Sequence, residues 1–271
     1  MADLDPAALL AAYDAQLRGV VSDPLPAGLR VEEDGPLLRY VGSGHHGGWV
    51  DYRDLGGVEG TDLDELIARQ VQAFTERNEP FEWKLHEHDL PADLAERLEA
   101  HGFVPEDRET IVIAPVSAVT SVPVLPEGVA LREVTARADF ERIGAMEHAI
   151  WQDDRDWLVG ALESERAADP AAITIVVAEA GAEVVCAAWV RFAEGTDFAS
   201  LWGGGTLPAG RGRGIYRAIV AYRANLAAAR GFRYLQVDAS DDSRPILERL
   251  GFVRVTTTTP FIWSPPTTMG A

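Results

Sequence analysis

A single cysteine, Cys186, among 271 residues has no partner within the chain, so neither an internal disulfide nor a cysteine-rich zinc site can form. It sits in an apolar run and is expected as a buried strand residue. The sequence also lacks any long uncharged apolar stretch, and its opening Met1-Ala2-Asp3-Leu4-Asp5 is acidic rather than basic. Neither a membrane span nor a secretory signal is therefore indicated, and a cytoplasmic location is expected. Leu9, Leu10, Tyr13 and Leu17 recur at helical spacing, which marks an amphipathic first helix. Positive charge is scarce: 24 Lys and Arg stand against 43 Asp and Glu, a formal net charge of -19. This argues against unaided binding to nucleic acid or an anionic membrane, because phosphate contacts need a basic surface. A cationic small-molecule or peptide partner suits an acidic surface, although the same charge also serves solubility.

Two familiar glycine-rich phosphate loops are missing as well. The richest candidate is Arg211-Gly212-Arg213-Gly214-Ile215-Tyr216. It has no Gly-Lys-Ser/Thr triplet to open a helix, which rules out a nucleoside triphosphate loop. A dinucleotide fingerprint read from Gly212 places Arg217 where the third glycine must pack helix against strand. What is present is a strand, a glycine turn and a helix. Gly212 and Gly214 allow the backbone to turn so that the first N–H groups of the helix, which have no partner inside it, face an anion. Arg211 and Arg213 add full charges to the helix dipole.

The pattern Arg-x-x-Gly-x-(Gly/Ala), with Tyr216 in the last place, resembles the signature of the GNAT acetyltransferase superfamily, which follows the fourth strand and binds the pyrophosphate of acetyl-CoA. The order of elements after Val129 agrees. A strand over 129–134 leads to helical patterning over 137–151 and 157–168. A hairpin follows over 173–179 and 183–192, then a strand over 198–205 and the helix from the glycine turn to about Arg230. That helix carries Ile215, Ile219, Tyr222, Leu226 and Ala229 on one face and is capped by Gly231. A strand over 234–237, a helix over 243–250 and two final strands near 252–258 and 261–263 complete the series.

The N-terminal part reads as a worn copy. Phe81-Glu82-Trp83 parallels Phe232-Arg233-Tyr234, and His101-Gly102-Phe103 parallels Leu250-Gly251-Phe252. Glu33-Asp34-Gly35 matches Glu179-Ala180-Gly181, and the strand over 48–55 matches the one before the glycine turn. The resemblance implies an α/β (α+β) protein of two GNAT-like domains, each a mixed, mostly antiparallel twisted sheet flanked by helices. The expected division is a degenerate domain over 1–118 and an acetyltransferase domain over 119–271. Pro115, Pro123 and Pro126 interrupt any regular element in the linker between them. The first copy has no cradle. Its helix begins Thr61-Asp62-Leu63-Asp64-Glu65, which reads as a capping box with carboxylates that would repel a pyrophosphate.

By the resemblance, the pantetheine arm of acetyl-CoA runs along Gly204, Gly205 and Thr206. The pyrophosphate meets Arg211 and the backbone of Gly212, Arg213, Gly214, Ile215, Tyr216 and Arg217. Gly203-Gly204-Gly205 within a strand marks a bulge or a close backbone approach. Anchored on Leu250-Gly251-Phe252, the family's pantetheine-binding asparagine becomes Ser240, and its proton-donating tyrosine becomes Leu247. Ser240 still bonds an amide. Leucine donates nothing, and Ser243 is the substitute acid, although it also reads as an ordinary first-turn serine.

The amine acceptor needs a base. Glu147, Asp153 and Asp154 are candidates, while Asp153, Asp154 and Asp156 also read as solvated helix-end acids. Trp151, Trp157, Trp202 and Trp263 either line the acceptor groove or belong to the core. His86 with His88 and His45 with His46 lack a third ligand, so no metal is expected. The implied activity is transfer of acetyl from acetyl-CoA to an unidentified amine by direct attack, by a monomer or homodimer. The alternative is an acyl-CoA-binding sensor or assembly protein without turnover.

Overall fold

The computed structural model describes residues 5–21, 23–42 and 47–266. His45 and His46 lie outside the described residues. Contacts divide the chain into two compact units. The described residues of Ala7–Asp23, Gly28–Thr110 and Val255–Ala271 form the N-terminal unit, and Ile111–Arg254 makes up the bulk of the C-terminal unit. Among the described residues, no helix is long and apolar enough to cross a membrane.

The N-terminal unit opens with helix α1 (Pro6–Leu17), which buries Leu9 and Tyr13. A hairpin of β1 (Arg30–Asp34) and β2 (Leu37–Val41) turns at Gly35, as expected. Next come β3 (Gly48–Asp51), α2 (Gly60–Arg77) and β4 (Phe81–His86). Helix α3 (Leu94–Ala100), the two-residue β5 (Val104–Pro105) and β6 (Glu109–Pro115) follow. Its sheet runs β1-β2-β3-β4 and ends on β12 (Val253–Trp263), the last strand among the described residues. Phe261 and Trp263 thereby join Phe74, Phe81, Trp83 and Phe103 in one aromatic core.

Two expectations need correction in this unit. The final strands are one, because Pro260 continues the antiparallel register between Thr258–His86 and Trp263–Phe81. Proline forfeits only its N–H, and its fixed φ suits extended backbone. The capping box at Thr61 does not form either. Helix α2 starts one residue earlier, at Gly60, with Glu59 as an N-cap that makes no side-chain bond, and Asp64 pairs with Arg97 at 2.7 Å.

The C-terminal unit starts with most of β6 and a single turn, α4 (Val116–Val119). The turn forms despite the neighbouring prolines because Val116 and Val119 enter the core. Strand β7 (Val129–Val134) leads to α5 (Arg137–Trp151) and α6 (Asp156–Ala168), then β8 (Ile173–Ala180) and β9 (Glu183–Phe192). Strand β10 (Phe198–Thr206), α7 (Ile215–Ala229), β11 (Tyr234–Ala239) and α8 (Arg244–Arg249) complete it. The strand order is β6-β11-β10-β9-β8-β7, with β10 and β11 parallel and β7 to β10 antiparallel.

Helices α5 and α6 cover one face of this sheet, through Phe140, Ile143, Leu158 and Leu162 against Ile175, Val177 and Trp189. Helix α7 covers the other, through Ile215 and Ile219 against Val176, Cys186 and Ala188. Cys186 is fully buried, as expected. The α7 face is wider than its spacing suggests. It buries Ala218, Val220, Ala221, Arg223, Ala224 and Ala227, while Ala229 is exposed. Small residues let this helix sit close to its neighbours on more than one side. The connection β10-α7-β11 has its counterpart in β3-α2-β4, whose strands are also parallel.

Candidate active site

The parallel ladder between β10 and β11 runs from Phe198–Tyr234 to Ser200–Gln236 and stops there. Beyond Ser200 the two strands part, which leaves backbone along one side of β10 for an extended ligand to pair with. Just past this point the β9–β10 register shifts between Gly203 and Gly205. This is the bulge expected from three successive glycines, and the structure supplies its cause.

Each glycine faces a large side chain so closely that an added Cβ would force that side chain to shift. At Gly203 an added Cβ would stand 2.7 Å from the Trp189 ring, and at Gly204 2.7 Å from Tyr216 Cε2. At Gly205 it would stand 2.8 Å from Glu147 Oε1. Gly203 and Gly204 also have φ of +67° and +97°, which L side chains rarely adopt. The chain's own residues thus press on the strand from both faces of the sheet.

Behind the bulge lies Arg223, fully buried on α7. Its Nη1 donates to Trp189 O at 3.0 Å and Trp202 O at 2.9 Å, and its Nε donates to Ile219 O. These bonds satisfy strand carbonyls where the ladder is irregular. Burial lowers the Arg223 pKa. Burial raises that of the Tyr216 phenol, which the Arg223 charge opposes. Sequence reading missed Arg223. Its one signal is its place four residues after Ile219 and four before Ala227, on an apolar stripe.

Glu147 is only 6% exposed. Its Oε2 accepts a 2.7 Å bond from Trp151 Nε1, while Oε1 is buried without a hydrogen-bond partner. Burial raises its pKa, with the Trp151 bond and the Arg155 charge acting in the opposite direction. Trp189 Nε1 is a second buried polar atom lacking a partner on the same side of the sheet. The other acids named from the sequence are engaged: Asp153 pairs with Arg155 at 2.7 Å, and Asp154 caps the Asp156 N–H.

The indoles divide. Trp151 and Trp202 are exposed by 57% and 38%, Trp157 packs beside α5 and α6, and Trp263 belongs to the core of the N-terminal unit.

Helix α7 opens on Gly214 at φ +85°, with no side-chain cap and no acid in its first turn. The free N–H groups of Ile215, Tyr216 and Arg217 therefore meet no carboxylate of their own turn. Space around Gly212 is open. Arg211 is anchored through Nε to Thr206 O at 3.0 Å. Tyr216, which replaces the small residue of the motif, turns its ring onto Gly204 and away from the glycine turn. These features fit acetyl-CoA: an uncapped, acid-free helix start beside parted strands suits a pyrophosphate and a pantetheine arm.

Ser240 and Ser243 bond to each other, Oγ to Oγ at 3.2 Å, and Ser243 Oγ also donates to Ser240 O, as in an ordinary turn before a helix. Leu247 is completely buried in the core. His86 and His88 bond within the N-terminal unit to Tyr13 and to Asp14 and Thr256 respectively. Among the described residues, no cluster of three or more His, Cys, Asp or Glu could hold a metal.

Comparison with known proteins agrees with this geometry. Residues 134–252 match the family model of the acetyltransferase (GNAT) family. A GCN5-related N-acetyltransferase from Kribbella flavida superposes with a TM-score of 0.66 at 19% identity, over 98% of this chain and 97% of that one. A tandem GNAT protein from the clavulanic acid biosynthesis pathway gives 0.64 at 15% identity, over 94% and 93%. A GCN5-related N-acetyltransferase from Sphaerobacter thermophilus gives 0.62 at 13%, over 97% and 86%. No curated protein matches the chain. The described chain thus shares the fold of these structures, and residues 134–252 carry its likeness to the acetyltransferase (GNAT) family.

Proposed function

We propose that this protein transfers the acetyl group of acetyl-CoA to an amine by direct attack, with the C-terminal unit as the catalytic one. The observation that carries the reading is the Glu147 carboxylate, buried with one oxygen unpaired, against the bulge where β10 leaves β11. Gly204, Gly205 and Thr206 would hold the pantetheine arm. Arg211, Arg213 and the first amides of α7 would hold the pyrophosphate, and Ser240 would bond the arm from the far side.

Acetyl-CoA supplies an activated acetyl thioester. An alkylamine has a pKa near ~10.4 and reacts only as the neutral form. Glu147 takes its proton, and a carboxyl group whose pKa is raised by burial is a better acceptor than a solvated one. Backbone N–H groups near Gly205 and Thr206 stabilise the oxyanion as the C–N bond forms and the C–S bond breaks. The departing thiol, with a solution pKa near ~8.5, leaves with little help. That is consistent with buried Leu247 in the family's tyrosine position and with Ser243 held in a local turn. We place the reaction in the cytoplasm, with no nucleic-acid or membrane partner, by a monomer or homodimer, and we assign the N-terminal unit no coenzyme.

A second reading, an acyl-CoA sensor without turnover, is favoured by Leu247 alone. Release of free CoA from acetyl-CoA, measured with and without a mixed amine library, separates the two. Turnover with any amine eliminates the sensor, and tight CoA binding with no turnover across the library weakens the enzyme reading.

A further inference from the structure

Beside the unpaired oxygen of Glu147 stands an indole that the fold leaves in solvent. Trp151 is one helical turn from Glu147, hydrogen-bonded to it through Nε1, and still 57% exposed. A core tryptophan hides its ring and a surface tryptophan is rarely fixed, whereas this one is pinned by a charge-assisted bond and left bare. Arg155 stands 5.8 Å from its ring centroid. Trp202 is the second exposed indole, and its strand partner is Trp189. Residues paired across two strands project to the same face. Trp189 packs with the α5 and α6 side chains, so Trp202 and Glu147 lie on one face of the sheet. The Arg191 guanidinium sits 4.5 Å over Trp202 and is paired with Glu165.

Cationic groups thus already stack on both indoles, and each of the two arginines has its own carboxylate. Glu147 has none. A buried carboxylate with an unpaired oxygen is costly unless a donor reaches it. The exposed part of the Trp151 ring offers flat apolar surface with an electron-rich face.

We infer that the acceptor is an alkylammonium with a planar apolar body. Its nitrogen donates to Glu147 Oε1, and its body stacks on the Trp151 ring. This rests on the reading of the C-terminal unit as a CoA-dependent transferase. It excludes small polar amines such as ethanolamine as good acceptors, since they would leave Trp151 bare. It also makes Trp151 a specificity-determining residue, distinct from the base it holds.

The test uses the full chain saturated with CoA and reads indole fluorescence while β-phenylethylamine, ethanolamine or 2-phenylethanol is titrated. Phenylethylamine should bind roughly tenfold more tightly than either comparator, one of which lacks the ring and the other the charge. Trp151→Ala should remove the advantage over ethanolamine, and Trp151→Phe should restore most of it. Glu147→Gln should weaken phenylethylamine and leave 2-phenylethanol unchanged. Equal binding of the three probes to the unaltered protein, which needs no variant to fold, overturns the inference. If CoA binds normally in that case, the transferase reading stands and only the acceptor class falls. If CoA itself does not bind, both fall together.

Discussion

The Glu147 carboxylate and the Gly205 backbone are fitted to each other: a Cβ at Gly205 would stand 2.8 Å from Oε1 and 3.3 Å from Oε2. Gly205 has none of the φ strain of its two predecessors, so alanine is acceptable to its backbone and objectionable only to its neighbours. Gly205→Ala should therefore fold, lose about 1–3 kcal/mol from overpacking, and displace the carboxylate. Activity should fall at least tenfold, and by more than CoA affinity does, measured by steady-state kinetics and CoA titration. Unchanged kcat would separate Glu147 from the chemistry.

Glu147→Gln should abolish most turnover and leave the Trp151 bond intact. Its effect on stability runs the other way. Burial raises the Glu147 pKa in the folded state, so its contribution to stability is fully present below the unfolded value near ~4.3 and is lost as pH rises through the folded value. The variant escapes that loss. Its Tm relative to the parent should rise between pH 4 and pH 8, and the parent's kcat/KM should climb with pH through an inflection higher than that of a solvated glutamate. A Tm difference independent of pH would contradict the burial argument.

Arg211→Glu places a carboxylate at the helix start that the chain otherwise keeps free of acid. The loss of a charge-assisted contact, about 1.5–3 kcal/mol, corresponds to a CoA affinity weaker by roughly ten- to a hundredfold. Thermal stabilisation by CoA should shrink accordingly, while the Tm without CoA stays near that of the parent. Full stabilisation in the variant would put the coenzyme elsewhere.

Arg223→Met keeps much of the volume and removes the donors to Trp189 O and Trp202 O. Two buried carbonyls lose partners at about 1–3 kcal/mol each. Chemical denaturation should report a loss of about 2 kcal/mol or more, with CoA affinity reduced as the bulge relaxes. Stability equal to the parent's would mean that other donors serve those carbonyls.

Cys186 should resist alkylation in the native protein at pH 8 and react on unfolding, because burial pushes its thiol up to about 11. Mass spectrometry after brief iodoacetamide treatment reads this directly, and native-state labelling would mean that the strand opens.

What could be read from the letters was local. The glycine turn, the hairpins, the borders of the helix over 137–151 and the buried Cys186 follow from short-range patterns. The Gly203-Gly204-Gly205 bulge was legible as a bulge but not in its cause, because Trp189, Tyr216 and Glu147 are brought to it only by folding. Glu147 was one of several acids near a helix end. Burial and an unpaired oxygen single it out from Asp153 and Asp154, and neither property is written in sequence. The box at Thr61 failed because Gly60 already begins the helix, and the two strands expected near 252–258 and 261–263 are one, since Pro260 between them forfeits only one donor. Arg223 was invisible for a similar reason: arginine on a helix reads as surface until the face around it is known to be buried.

Strand β12 gives the N-terminal unit its last strand, and Phe261 and Trp263 fill its aromatic core. During synthesis those side chains leave the ribosome some two hundred residues after β3 and α2. The core made first is therefore completed by the part made last: Phe81 and Trp83 meet Phe74 and Phe103 early, and gain Phe261 and Trp263 only when the final strand arrives.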